Sequence, residues 1–297
     1  MGLCPVRAAF GDQPEAQLTV RSGDTPVERW LAAVVFGARG DYAAAATLLA
    51  TLLRAADTPA AVRAHAAVTR AAHLRQLGGH RAARRFDGMG LALAGQAPVS
   101  DLYGYSHTNH SQAPAADAAG AKIDALIGLA ADAIGLADPD LAERLLDLAR
   151  DPAGGHPSWR PKVRWRWVRA ELSLTRGRPA EALEYAEEAV AGSRAARATR
   201  HEIKSELLLA VARAGAGHPT AELADELTGL AERAHTARLD TLQWPIQLML
   251  ADVNRSTRLG RSGDHRRRAT EILARIRVRT DPQGRVVMDR SPWVPKV

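Results

Sequence analysis

Residues 177–190 read GRPAEALEYAEEAV, and they decide the fold because a turn followed by an apolar helical stripe returns along the chain in this form. A glycine ends one helix, and a proline or a capping polar residue begins the next. Related segments are GDYAAAATLL from Gly40, GGHRAARRF from Gly78, ADPDLAERLL from Ala137, GHPTAELADEL from Gly217 and GDHRRRATEIL from Gly263.

The spacing of these turns indicates a repeat array. Successive anchors are 38, 59, 40, 40 and 46 residues apart. The long interval contains residues 97–119, a polar, proline-containing insertion without helical period. Removing about twenty residues there restores the common spacing, which is typical of stacked supersecondary units.

The local signals predict helices. Thr25, Pro26 and Glu28 form a capping box with proline at the first helical position. Between such starts, apolar residues recur at i, i+3, i+4 and i+7, and the alternation of a strand is almost absent. There are two exceptions: residues 163–167 (VRWRW) alternate, and residues 284–289 (GRVVMD) could be a short extended tail, but neither predicts a sheet.

The turns resemble the middle of the tetratricopeptide (TPR) motif, in which glycine ends helix A and a small alanine lets helix B pack closely. The residues that carry this resemblance are Phe36, Gly40, Asp41, Tyr42 and Ala45, then Leu126, Leu129, Ala142 and Ala149, then Gly177, Pro179, Ala182 and Ala189. The units here are near 40 residues rather than the family's 34. The resemblance implies an all-α, right-handed superhelix of about six stacked antiparallel helix pairs, a TPR-like α-solenoid.

The same pattern sets the predicted organisation of the chain. The expected segments are an irregular lead-in (1–24), repeats one and two (25–96), the loop insertion (97–119), repeats three to six (120–279) and a C-terminal tail (280–297).

Charge and composition narrow the function classes. The net charge is +7, but it is local: residues 160–169 and 261–279 are basic, and the remainder is slightly acidic. Cys4 is the one cysteine, which excludes a disulfide or a thiolate zinc cage within one chain. No stretch approaches a membrane span and no secretory signal is recognisable, so we expect a cytoplasmic protein.

The segment SWRPKVRWRWVRAEL (158–172) is the strongest candidate surface. On a helix, Val163, Trp167, Ala170 and Leu174 share an apolar face, whereas Trp165, Arg166 and Arg169 gather on another side. We expect one tryptophan to be buried and the other to be available beside arginines, where it would suit an acidic peptide or a single-stranded nucleic acid. The predicted groove residues are Arg164, Trp165, Arg166, Trp167, Arg169, Glu171, Leu174 and Lys204.

Two further surfaces are weaker candidates. The insertion holds Tyr103, Tyr105, His107 and His110, which could contact a partner, although no closed metal site is indicated. The last repeat carries an arginine-rich helix that either caps the core or meets an acidic partner. Its arginines are Arg266, Arg267, Arg268, Arg275, Arg277 and Arg279.

No catalytic pattern is complete. The sequence HEIKS at 201–205 lacks the second histidine of HExxH, GYSHT at 104–108 lacks the last glycine of GxSxG, and no phosphate-binding GxxxxGK[ST] occurs. We therefore predict a non-catalytic scaffold without cofactor that holds a peptide or helix of another protein, as the TPR resemblance implies. The alternative is a regulatory module that binds nucleic acid or an acidic ligand through the patch formed by Trp165, Arg166 and Arg169, which we call the Arg/Trp patch.

Overall fold

The computed structural model describes residues 5–97, 116–256 and 262–296, and this part of the chain contains fourteen α-helices and no strand. The first helices are α1 (Pro5–Phe10), α2 (Pro26–Arg39), α3 (Tyr42–Arg54), α4 (Ala60–Gln76), α5 (His80–Gly95), α6 (Ala118–Gly135) and α7 (Pro139–Gly155). They are followed by α8 (Trp159–Thr175), α9 (Pro179–Ala195), α10 (Thr199–Gly215), α11 (Thr220–Thr236), α12 (Asp240–Ser256), α13 (Ser262–Val278) and α14 (Pro282–Arg290).

Six helix pairs, from α2/α3 to α12/α13, form the array, and consecutive helices pack on one another. This confirms the predicted all-α solenoid. From α7 to α13 every helix in these pairs is 17 residues long. Two such helices and two short turns make about forty residues, which is the physical origin of the long repeat.

The turns between paired helices share one geometry. Gly40, Gly78, Gly177 and Gly217 have φ between 68° and 84°, the left-handed region, and Ala137 takes the same place in the third pair with φ 62°. The amide of the following residue then donates to a carbonyl five residues back, as from Asp41 to Phe36 at 2.8 Å. Such bonds satisfy carbonyls that the helix end would leave free.

Alanines early in the second helices explain how closely the pairs pack. Ala45, Ala83, Ala142 and Ala182 each lie five residues after the turn, and each is fully buried. A larger side chain at these positions would push the two helices apart. The small residue expected from the TPR pattern is therefore confirmed.

The two ends of the array meet, which sequence spacing did not predict. The Thr241 hydroxyl at the start of α12 donates to the carbonyl oxygen of Ala38 in α2 at 2.7 Å. The amide of Ala43 in α3 donates to the carbonyl oxygen of Arg279 at 2.8 Å. An apolar cluster seals the junction, and its buried members are Tyr42, Leu77, Ile272, Leu273, Ile276, Met288 and Val294.

Both terminal segments differ from the expectation. The lead-in contains α1, whose Ala8, Ala9 and Phe10 are buried against α2. The predicted extended tail at 284–289 is wrong, since these residues lie in α14. The Asp281 side chain caps this helix by accepting from the amide of Gly284 at 3.2 Å.

Candidate functional site

The first helices of the pairs (α2, α4, α6, α8, α10 and α12) contact one another along the array and provide its inner face. On α8, Arg164, Trp167 and Glu171 lie three and four residues apart, so they share one side of the helix. On α10, Arg200 and Lys204 do the same. We call these five residues the inner cluster.

Trp167 anchors the inner cluster. Its ring is buried, its indole N–H donates to the Ser205 hydroxyl at 2.8 Å, and the His201 ring stacks on it at 5.2 Å between centroids. The Lys204 ammonium lies 4.3 Å from the centre of the indole ring, a cation–π contact. The tryptophan therefore fixes the position of one cation on this surface.

Lys204 and Glu171 are the accessible members of the cluster. Their side chains are 37% and 36% exposed, and the ammonium and carboxylate are 3.9 Å apart. The surrounding helices displace much of the solvent, and this desolvation lowers the pKa of Lys204 to about 8, with Arg200 and Arg164 adding repulsion. The surface is thus open to a ligand but poor in water.

Arg164 belongs to a buried ionic group that centres on Asp124 of α6. The Asp124 carboxylate forms ion pairs with Arg160 at 2.5 Å and with Arg164 at 2.7 Å. Burial alone would raise the pKa of Asp124, but the two guanidinium groups together hold it below its ordinary value. One carboxylate therefore serves two arginines, and a positive charge is left over.

Arg200 is the unneutralised member. Among the described residues no carboxylate lies within ion-pair distance of it, and its Nε is buried without a hydrogen-bond acceptor. Desolvation lowers its pKa to about 10, and Arg164 adds repulsion. Its charge also lowers the pKa of the buried His73.

A second buried ionic group lies where α4, α5 and α6 meet. The Arg75 guanidinium donates to Asp87, to Asp132 at 2.8 Å and to the carbonyl oxygen of Gly128 at 3.1 Å. Burial raises the pKa of Asp87 to about 8, and Asp132 raises it further while Arg75 lowers it. Asp87 therefore holds a proton more tightly than an ordinary carboxyl group, and Arg75 is shared between Asp87 and Asp132.

Comparison with known proteins identifies the architecture. Neither a known protein family nor a curated protein matches the sequence. Among solved structures, a signal transduction ATPase with numerous domains (STAND) and a TPR sensor, from Pyrococcus horikoshii, is similar at a TM-score of 0.55 and 13% identity; the match covers 86% of this chain and 38% of that protein. This chain has a TPR-like helical-repeat fold.

Two further TPR-like structures show weaker similarity. Both are of a putative kinesin light chain from Podosopora anserina with nearly identical TPR-like repeats. The first, a Q17M form, has a TM-score of 0.40 at 19% identity, and the second 0.39 at 17%. Each match covers 73% of this chain and 94% of that one.

The sequence-predicted groove residues divide between two faces of the TPR-like array. Arg164, Trp167, Glu171 and Lys204 come together in the inner cluster. Leu174 is partly buried against the fourth and fifth pairs, near Gly215. It is therefore a packing residue.

The other three predicted groove residues contact the second helices of the pairs. Trp165 was expected to be available, and this is wrong: its indole N–H donates to the carbonyl oxygen of Leu146 at 2.8 Å, and its ring packs edge-on against Tyr185. Arg166 pairs with Glu188 at 2.6 Å on α9. Arg169 reaches Glu143 and Glu181 at 3.2 and 3.5 Å.

The arginines of α13 are largely neutralised within the TPR-like array. The pairs are Arg266 with Asp252, Arg267 with Asp264 and Glu271, Arg275 with Asp240, Arg277 with Asp289, and Arg279 with Asp41 and Asp240. Arg268 makes no such pair with a described residue. This helix therefore presents little free positive charge.

The loop candidates Tyr103, Tyr105, His107 and His110 lie outside the described residues. Within the described ranges, no group of three potential metal ligands comes together, and no helix is long and apolar enough to cross a membrane.

Sequence reasoning missed Arg200 as a site residue. Its four-residue spacing from Lys204 was a usable signal, because both must project from one side of α10. The side that faces inward depends on how successive pairs rotate, which the spacing alone does not give.

Proposed function

We propose that this TPR-like array is a non-catalytic scaffold that holds an acidic peptide or helix of a partner protein along its inner face. The supporting observation is the inner cluster, in which desolvated cations exceed the carboxylates that balance them. Grouping like charges where water is scarce costs stability, and a negatively charged partner would offset that cost. Lys204 and Glu171 are exposed enough to meet such a partner.

The solved STAND protein supports a related role. That protein is described as having a TPR sensor, and the match covers 38% of its chain. We therefore include ligand recognition by a regulatory protein within the proposed function. Nucleic-acid binding through the Arg/Trp patch receives no support, because Trp165, Arg166 and Arg169 are engaged with α7 and α9.

The proposal is tested by site-dependent capture. A photo-crosslinking amino acid would replace Leu207, a partly buried residue of α10, and in a second protein Leu148, which is 65% exposed on α7. We expect crosslinking in native cells to yield a defined partner from position 207 and not from position 148. Equal yields from both positions would contradict an inner-face site.

Charge reversal provides the matched comparison. Lys204→Glu should abolish crosslinking of that partner, whereas Lys122→Glu, at an exposed position on α6, should leave it unchanged. Circular dichroism would confirm that both variants are folded. A partner retained by Lys204→Glu, or lost equally from both variants, would overturn the proposal.

A further inference from the structure

The ionic balance of the inner face leaves two positive charges. Arg160 and Arg164 share Asp124, so one charge remains there. Arg200 has no carboxylate partner among the described residues and supplies the second. Lys204 is balanced by Glu171 at 3.9 Å, and Arg70 of α4 by Asp281 at 2.8 Å.

Buried polar atoms of α4 and α10 lack hydrogen-bond partners among the described residues. Besides Nε of Arg200, the Nδ1 atoms of His73 and His201 are buried and have no hydrogen-bond partner among the described residues. The two histidines are 4% and 2% exposed. A buried guanidinium N–H left without an acceptor costs about 1–3 kcal/mol, so Arg200 would gain from an anionic ligand.

The required ligand follows from these observations. A guanidinium can donate two parallel hydrogen bonds to an oxyanion, and an ammonium can add a third. The leftover charge matches a group of −2, whereas one carboxylate supplies only −1. A phosphate monoester carries about −1.5 to −2 at neutral pH and has three acceptor oxygens.

We propose that Arg164, Arg200 and Lys204 form a binding site for a phosphate monoester dianion, carried by a phosphorylated side chain of the partner segment. This inference rests on the proposed function and names the chemistry that the inner face recognises. Arg200 supplies the bidentate contact, Lys204 is held beside it by the indole ring of Trp167, and Arg164 contributes its share of the surplus charge from α8.

Calorimetric titration tests the site directly. The probes are inorganic phosphate, acetate, the peptide acetyl-Gly-Gly-phosphoSer-Gly-Gly-amide and the same peptide with glutamate in place of phosphoserine. We expect phosphate to bind at least about tenfold more tightly than acetate, and the phosphopeptide at least about tenfold more tightly than the glutamate peptide. Arg200→Gln should weaken phosphate binding about tenfold or more, while Arg144→Gln, an exposed arginine on α7, should not change it.

The outcomes separate the inference from the proposed function. Equal binding of the phosphorylated and glutamate peptides would overturn the assignment to phosphate. Binding of inorganic phosphate with exclusion of the phosphopeptide would overturn its assignment to a partner side chain. If Arg200→Gln binds phosphate as tightly as the wild-type protein, or if Arg144→Gln weakens binding equally, Arg200 is not part of the site. Capture of a partner through position 207 that phosphatase treatment does not weaken would leave the scaffold standing and overturn this inference.

Discussion

Arg279, just after α13, donates to Asp41, at the start of α3, across 2.9 Å, although 238 residues separate them in sequence. The same guanidinium donates to Asp240 of α12 at 2.6 Å, and the carbonyl oxygen of Arg279 accepts from the amide of Ala43. One residue thus joins the last pair of helices to the first.

Arg279→Ala should loosen this junction. We expect the free energy of unfolding to fall by about 1–2 kcal/mol, because Asp41 loses its partner and Asp240 keeps only the longer contact with Arg275. Arg267→Ala removes an exposed pair with Asp264 and should cost no more than about 0.5 kcal/mol. Urea titration of both variants measures the difference, and equal costs would show that the junction does not depend on Arg279.

Gly37→Ala should separate α2 from α4. A methyl group at this position would lie 1.9 Å from Nε2 of His73, a buried ring with little room to move. We expect a loss of about 1–3 kcal/mol in the free energy of unfolding. Gly88→Ala is the matched control, since nothing lies within 4 Å of its added methyl group, and it should stabilise α5 by about 0.5–1 kcal/mol.

His73 should make the fold sensitive to acid. Burial lowers its pKa to about 3, and Arg70 and Arg200 lower it further while Asp281 raises it. The unfolded chain, with a histidine pKa near 6.5, therefore binds the proton first. Its contribution to stability is complete above pH 6.5 and is lost as the pH falls toward 3, by up to about 1.4 kcal/mol per pH unit.

The comparison with His73→Leu isolates this effect. Denaturant titrations at several pH values should show that the stability advantage of the wild-type protein over the variant shrinks between pH 6.5 and 5. If the stability difference between the two proteins stays constant over this range, His73 has the same pKa in the folded protein as in the unfolded chain.

Asp87→Asn should have the opposite dependence on pH. Because burial raises the pKa of Asp87 to about 8, the folded protein keeps this carboxyl protonated at pH values where the unfolded chain releases the proton. Its contribution to stability is complete below about pH 4 and is lost as the pH rises toward 8. Thermal unfolding should therefore show that the stability of the variant rises relative to that of the wild-type protein between pH 4 and 8. If the relative stability does not change, Asp87 is ionised in the folded protein over this range.

The repeat was predictable because its signals are local. Gly177 and Pro179 punctuate the helices, Ala182 permits close packing, and the spacing of such turns gives the pairs. The α14 helix could also have been predicted from the sequence, since Asp281 followed by Pro282 is the same start signal that Asp138 and Pro139 give to α7. Its apolar residues were interpreted by alternation instead, and six residues are too few to distinguish the two periods.

The inner cluster and the junction were less predictable for a physical reason. Trp165 and Trp167 both lie on α8, and only the rotation of α8 against its neighbours decides which of them faces inward. Contacts such as that between Arg70 and Asp281 join residues 211 apart, and no periodicity encodes them. These features depend on how far each helix pair is rotated relative to the pair before it. The small rotations add up along the array, and the spacing of the turns does not specify them.

The first and last pairs use each other as packing partners at the junction. A solenoid with free ends tolerates gain or loss of a module, because the new end resembles the old one. Here a duplicated or deleted forty-residue module would move Arg279 out of register with Asp41 and expose the apolar junction around Ile276. The junction therefore constrains the number of repeats: substitutions within a module leave it in place, whereas gain or loss of one module would break it.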